Sequence, residues 1–367
     1  MKIDFLLKNE GIEVVKELSK KEVSTIAKDV AIKLCLAFPE HNLSRLSLYN
    51  ALSLLKMYYA NLPKDFSGAK YILDNSSIYF NSNLPFENIP STAMHECIHF
   101  IQHYNSTQNF GLVTSSKHTA LNEAAVQLMA SEANMNPETE VKYFDIDLKT
   151  ISPDFYPLEC SLLNQITYFT GTYPLYNSVI YSNDVFKNTF TTKFSKNAYL
   201  NIIKRLDSIL NLETEINCYI EEMINETNSK SIKKLDKIIN YKKQKIMTVF
   251  FQAQNYIMRT CFMAEFNTLR NYEDIHNFKN KLYDYKNIIG CNENYSYYNV
   301  FYRSMMNLLE TKKEQIKASG EINLLSNKST ALTIIDTREN KLKFIKILFK
   351  KIKELFKSEV SKDYINE

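Results

Sequence analysis

Few residues in this chain break a backbone. Six glycines and eight prolines among 367 residues exclude an architecture built on many tight turns and favour long helices. Charge of one sign is also scarce: the formal net charge is +4, too small to make nucleic acid the main partner. Lysine greatly outnumbers arginine, which weighs against bidentate recognition of phosphates or bases. The six cysteines, Cys35, Cys97, Cys160, Cys218, Cys261 and Cys291, include no Cys-x-x-Cys pair. Most have apolar neighbours, so buried free thiols are expected rather than disulfides. Met1-Lys2-Ile3-Asp4-Phe5 opens no signal-peptide apolar region, and the expected location is the cytoplasm. One stretch, Ile246 to Ala264, is apolar enough to raise a membrane question. Gln252, Gln254, Asn255 and Arg259 inside it argue for a buried core helix instead.

With 45% apolar and 23% charged residues, the composition is that of a soluble globular protein long enough for two units. Apolar periodicity predicts helices over 12–37 and 43–59, ended by Pro39 and by Asn61-Leu62-Pro63. Lys70-Tyr71-Ile72-Leu73 and Ser77-Ile78-Tyr79-Phe80, separated by Asp74-Asn75-Ser76, read as a hairpin. Past about residue 140 the pattern is again mostly helical. Expected helices cover Leu158 to Thr167, Asn201 to Ile224, Ser231 to Phe266, Tyr272 to Ile289 and Tyr297 to Lys317, with a tyrosine-rich turn at Tyr168 to Tyr176. Leu342 to Lys357 reads as a basic amphipathic helix. It suits an anionic membrane or a partner, but packing on its own domain is the favoured reading. The fold class expected is mainly α with a small β-sheet (α+β). The expected divisions are 1–200, a helical region 201–325, and a loop with the tail helix over 326–367.

The chemistry is concentrated in Met94-His95-Glu96-Cys97-Ile98-His99-Phe100-Ile101, which contains His-Glu-x-x-His. Residues four apart share a helix face, so His95 and His99 can aim at one point. Met94, Cys97, Ile98 and Ile101 form an apolar stripe that such a helix would bury. Two His leave a tetrahedral zinc half filled, and a catalytic site needs one more protein ligand and a water. Glu123, in Leu121-Asn122-Glu123-Ala124-Ala125, lies on a second predicted helix beyond the polar Asn105 to Gly111 loop. Folded back antiparallel, that helix brings Glu123 to the two His, and its small alanines permit close approach. Glu132 is the competing acid, more than two turns further along.

His95-Glu96-x-x-His99 followed by Asn122-Glu123-Ala124 resembles the gluzincins, the thermolysin-like zinc peptidases, over roughly residues 70 to 135. The resemblance implies a zincin-like core, Zn2+ held by His95, His99 and Glu123, Glu96 as general base, and a peptide or protein substrate. It also implies an edge strand bordering the cleft, for which Ile78 to Asn81 is the candidate. The family carries an acid four residues after the ligand Glu, where this chain has Gln127. A metzincin is disfavoured, because Gln102 and Asn105 stand where it needs Gly and His. Peptidases of this class often hold the oxyanion with a Tyr or His. Tyr173 and Tyr176 are the candidates here, with His103 and His118 as alternatives. Two other readings compete: a regulatory protease resembling the ImmA/IrrE group, and a non-catalytic helical interaction protein with a structural or inactive zinc site.

Overall fold

Extended backbone begins where a helix was expected. Glu13–Glu17 forms strand β1, and helix α1 occupies only Lys20–Ala37. Ser19 decides the boundary. Its hydroxyl accepts from the Glu22 backbone N–H, while the Glu22 carboxylate accepts from the Ser19 N–H at 2.7 Å. This capping box starts a helix and cannot sit inside one, so the β-branched Val14-Val15 pair ahead of it runs extended. The second expected helix is shortened likewise: α2 spans Arg45–Ser53, and Lys56–Asn61 forms strand β2. Pairing on both sides, with β1 antiparallel and with Ser77–Asn81 parallel, outweighs the local helical pattern.

The expected hairpin is present, with β3 (Ala69–Ile72) antiparallel to β4 (Ser77–Asn81). Sheet order is β1-β2-β4-β3, so β4 is central and β3 is the edge. The expected edge at Ile78–Asn81 is therefore corrected to β3. Ile78, Tyr79 and Phe80 are each at most 1% exposed, as a strand covered on both faces requires. On one face Tyr79, Ala60 and Ile72 close a small core with Leu7 and Ile12. Tyr71 turns to the other face and meets Phe100 edge-on.

The computed structural model describes residues 7–63, 68–106, 111–112, 119–289 and 296–326. After the sheet come α3 (Ile89–Asn105) and α4 (Thr119–Ala133). They run antiparallel, as paired contacts at both ends establish. Asn134 Nδ2 donates to the Ser91 carbonyl at 3.1 Å, and Gln102 Nε2 donates to Asn122 Oδ1 at 2.9 Å. A second hairpin, β5 (Thr139–Tyr143) and β6 (Ile146–Thr150), follows α4 in a stretch for which no particular element was expected. Its turn places Phe144 and Asp145 at φ 46° and 64°, so no glycine marks it in the sequence.

Helix α5 (Pro157–Thr170) covers the expected Leu158–Thr167 segment, and with α6 (Tyr173–Tyr181) it reduces the expected tyrosine-rich turn to Gly171-Thr172. After α7 (Val185–Lys193), the long helices α8 (Lys196–Asn225) and α9 (Ser229–Phe266) pack as an antiparallel pair, followed by α10 (Tyr272–Ile288) and α11 (Ser296–Ser326). Ile246, Phe250, Ile257, Met258, Cys261 and Phe262 are at most 1% exposed, the burial expected of a core helix. Among the described residues no helix is long and apolar enough to cross a membrane. Met1–Leu309 forms one compact unit and Glu310–Glu367 a second. No division falls near residue 200, because α8 packs on α4 and α9 on α5. The basic segment Leu342–Lys357 lies outside the described residues. The five described cysteines are free thiols, with Cys97, Cys160 and Cys261 buried; Cys291 lies outside the described residues.

Candidate metal centre

Helix α3 has Pro90 in its first turn, where a missing N–H costs nothing. Its expected stripe is buried: Met94, Cys97, Ile98 and Ile101 are at most 4% exposed. That anchoring turns the adjacent face, with His95 and His99, toward α4. His95 Nε2 and His99 Nε2 lie 3.0 Å apart, and each lies 3.3 Å from Glu123 Oε2. A tetrahedral ion with bonds of about 2.0–2.1 Å sets its ligand atoms roughly 3.3 Å apart. The three atoms thus converge as ligands of one metal ion would, and this group could hold one.

The groups behind the ligands support that role. His95 Nδ1 donates to Gln127 Oε1 at 2.8 Å, and the Gln127 amide nitrogen donates onward to Ser131. His99 Nδ1 donates to Gln102 Oε1 at 3.1 Å. Gln102 is in turn oriented by Asn122, whose Oδ1 also accepts from the Leu112 backbone N–H. With Nδ1 committed to an amide oxygen on both rings, Nε2 is the atom left to bind a metal ion at the shared point. Gln127 thus supplies His95 with an acceptor that carries no charge.

Glycine is required at one point of this network. Gly111 has φ 56°, and a Cβ there would lie 2.1 Å from Gln102 Nε2 and 2.3 Å from Asn122 Oδ1. Its N–H donates to Ser182 Oγ at 2.8 Å, and that hydroxyl donates to the Gln102 carbonyl. Burial disfavours a charged His99, but the Glu123 carboxylate outweighs it and raises the ring to about 9 in the metal-free chain, so a metal ion entering here would displace the Nε2 proton. Burial would raise Glu123 as well, yet His99 and His95 hold its carboxyl well below the usual range. Glu123 is therefore ionised, as a ligand must be.

Glu96 lines the same cleft, a cavity of about 530 Å³. Its Oε2 accepts from the Tyr71 backbone N–H at 2.7 Å, so edge strand β3 holds the carboxylate at one side of the metal point. Tyr156, not anticipated from the sequence, also lines the cleft and stacks near His95 with ring centroids 6.2 Å apart. Burial first, then the Glu123 and Glu96 carboxylates, push its hydroxyl well above the usual tyrosine range, so it stays a donor. The residue sits at φ 50°, a conformation uncommon outside glycine, immediately before Pro157. Tyr156-Pro157 is one of two Tyr-Pro pairs, the other being Tyr173-Pro174, and among 24 tyrosines it gave no usable signal in the sequence.

The other expected residues lie elsewhere. Tyr176 is buried and donates to Glu132 Oε2 at 2.6 Å, while Tyr173 stacks on His41 at 4.6 Å. Neither lines the cleft, so both are corrected as oxyanion donors. The same bond removes Glu132 as a competing ligand. His103 Nδ1 bonds the Tyr71 hydroxyl at 2.9 Å and is not directed at the metal point; His118 lies outside the described residues. Compared with protein-family profiles, with curated proteins and with solved structures, the chain matches none.

Proposed function

We propose that this chain is a zinc-dependent peptidase of the gluzincin type, with His95, His99 and Glu123 as ligands and Glu96 as general base. The observation that carries the reading is the triangle of ligand atoms at 3.0 to 3.3 Å, opening onto a cleft that Glu96 also lines. Two imidazoles and one carboxylate make a donor set suited to zinc. When bound, the ion would supply Lewis acidity, acidifying water and polarising a carbonyl.

The chain's own groups account for the proton movements. Glu96 keeps one carboxylate oxygen on the Tyr71 N–H and has the other for the attacking water, whose proton it takes. It then passes that proton to the leaving amine. Tyr156, with its hydroxyl held protonated, donates to the developing oxyanion in place of Tyr173 or Tyr176. The Asn81 N–H donates to the Gly68 carbonyl, so by antiparallel alternation Lys70 and Ile72 bond β4 while Ala69 and Tyr71 face outward. The Tyr71 N–H is taken by Glu96, which leaves the Tyr71 carbonyl and the Ala69 backbone groups for a substrate. An extended peptide can pair there. A structural zinc would take four protein ligands, and only three converge among the described residues. The ImmA/IrrE-like alternative uses the same chemistry and differs in substrate.

Metal analysis of protein purified without added metal, with cleavage of a diverse peptide pool, tests the reading. Zinc should be bound in the wild type and absent from the double variant His95→Ala, His99→Ala. Glu96→Gln should retain zinc and lose activity by about two orders of magnitude or more. Zinc-loaded wild type that cleaves nothing would overturn the peptidase assignment.

A further inference from the structure

One stripe of helix α3 is given over to the edge strand. Thr92, Glu96, Phe100 and His103 follow one another at spacings of four, four and three residues, which keeps them on one face. Each meets β3 or the residue just ahead of it. A Cβ on Gly68 would lie 3.0 Å from Thr92 Cγ2, so the backbone runs close over the helix there. Tyr71 supplies the other contacts: its N–H donates to Glu96 at 2.7 Å, its ring meets Phe100, and its hydroxyl bonds His103 Nδ1 at 2.9 Å. His95 and His99 occupy the neighbouring face and look toward α4.

We propose that His103 and the Tyr71 hydroxyl form a positioning latch that fixes the height of β3 on α3, and so the register of an extended peptide against His95, His99 and Glu123. The inference rests on the peptidase reading of the cleft. Its physical basis is that one polar tether leaves a strand free to pivot. Glu96 and His103 are seven residues apart, about 10 Å along the helix, and bonds to both from Tyr71 remove that freedom. Glu96 is then held by the strand that pairs with substrate, so base and substrate share one frame. Displacement of a reacting group by about 1 Å can cost roughly a hundredfold in rate. His103 acts through Tyr71 and is a positioning residue, separate from the reacting groups.

The test uses the full chain with Tyr71→Phe, His103→Phe and His103→Gln, the last retaining an acceptor. Two readouts are needed: backbone amide exchange across Ala69–Ile72, and kcat/KM on a long peptide spanning the cleft and on a blocked dipeptide. The two Phe variants should speed exchange in β3 while α3 stays protected. They should also lower the preference for the long peptide over the dipeptide by about tenfold, with His103→Gln recovering part of both effects. Equal losses on the two substrates would reduce the bond to a stabilising contact and overturn the proposal. Unchanged exchange in β3 would overturn it whatever the activity. If the wild type cleaves neither substrate, the peptidase reading falls. Exchange then judges the latch alone: faster exchange confined to β3 supports it, and unchanged exchange rejects it.

Discussion

A histidine ligand is only as well aimed as the group behind it. In this site both rings are held by amides: Gln127 behind His95 and Gln102 behind His99. An amide fixes the tautomer as a carboxylate would, without adding charge. The motif residues were legible in the sequence because helical spacing alone carries His95 and His99 to one face. Tyr156 was not, since its place depends on the left-handed turn before Pro157 and on packing against α3 and α4. Tyr156→Phe should therefore lower kcat by about tenfold to a hundredfold with zinc content unchanged, whereas Tyr173→Phe should leave both near wild type. Steady-state kinetics and metal analysis on the same preparations check this. The two candidate acids separate similarly. Glu123→Ala should abolish tight zinc retention in a chelator competition. Glu132→Ala should keep it and destabilise the fold by about 1–3 kcal/mol, because it strands the buried Tyr176 hydroxyl.

At the scale of elements, helix α3, the β3–β4 hairpin and the long C-terminal helices were legible because each carries a continuous period and ends at a recognisable breaker. The strands β1 and β2 were hidden for different reasons. The boundary of β1 was written in Ser19-Lys20-Lys21-Glu22, a capping box inside an apparently continuous helix. That of β2 depends on pairing with β4, a partner distant in sequence, and no local rule supplies it. The α3–α4 connection carries a sharper test. Gly111 is the only residue type that fits both its positive φ and the 2.1 Å approach of Gln102. Gly111→Ala should displace the Gln102–Asn122 pair, free the His99 ring and weaken zinc affinity by roughly tenfold to a hundredfold. Zinc titration against a chromogenic chelator reads the loss. An affinity equal to wild type would mean that the amide network does not orient His99.

At the scale of the whole molecule, composition pointed correctly to a mainly helical protein. It could not reveal that α8 and α9 pack directly on α4 and α5, because chain length sets only a prior on division. That packing buries something periodicity also missed. Glu159 on α5 and Glu213 on α8 are 0% and 5% exposed and couple to each other. The two carboxyls lie against each other and can share a proton, and no other side chain among the described residues satisfies the Glu159 oxygens or Oε1 of Glu213. Tyr143, Tyr156 and Cys160 surround them, and none of these offers a positive charge. Burial raises Glu159 to about 8 and lifts Glu213 well above the usual range. The sign follows directly. From about pH 4.5 to about 8 the folded chain keeps a proton that the unfolded chain has lost. Stability should therefore be greatest at the acid end of this window and fall by about 1.4 kcal/mol per pH unit for each proton so retained. The pair titrates jointly, so the slope belongs to both residues. Glu159→Gln with Glu213→Gln removes the ionisable groups and keeps polar side chains of similar size. Urea unfolding at pH 5 and at pH 8 should show the wild type losing stability between them and the double variant losing much less, so that the variant is the more stable at pH 8. A wild type as stable at pH 8 as at pH 5, with the double variant parallel to it, would show that the buried pair is already ionised and stabilised in the fold.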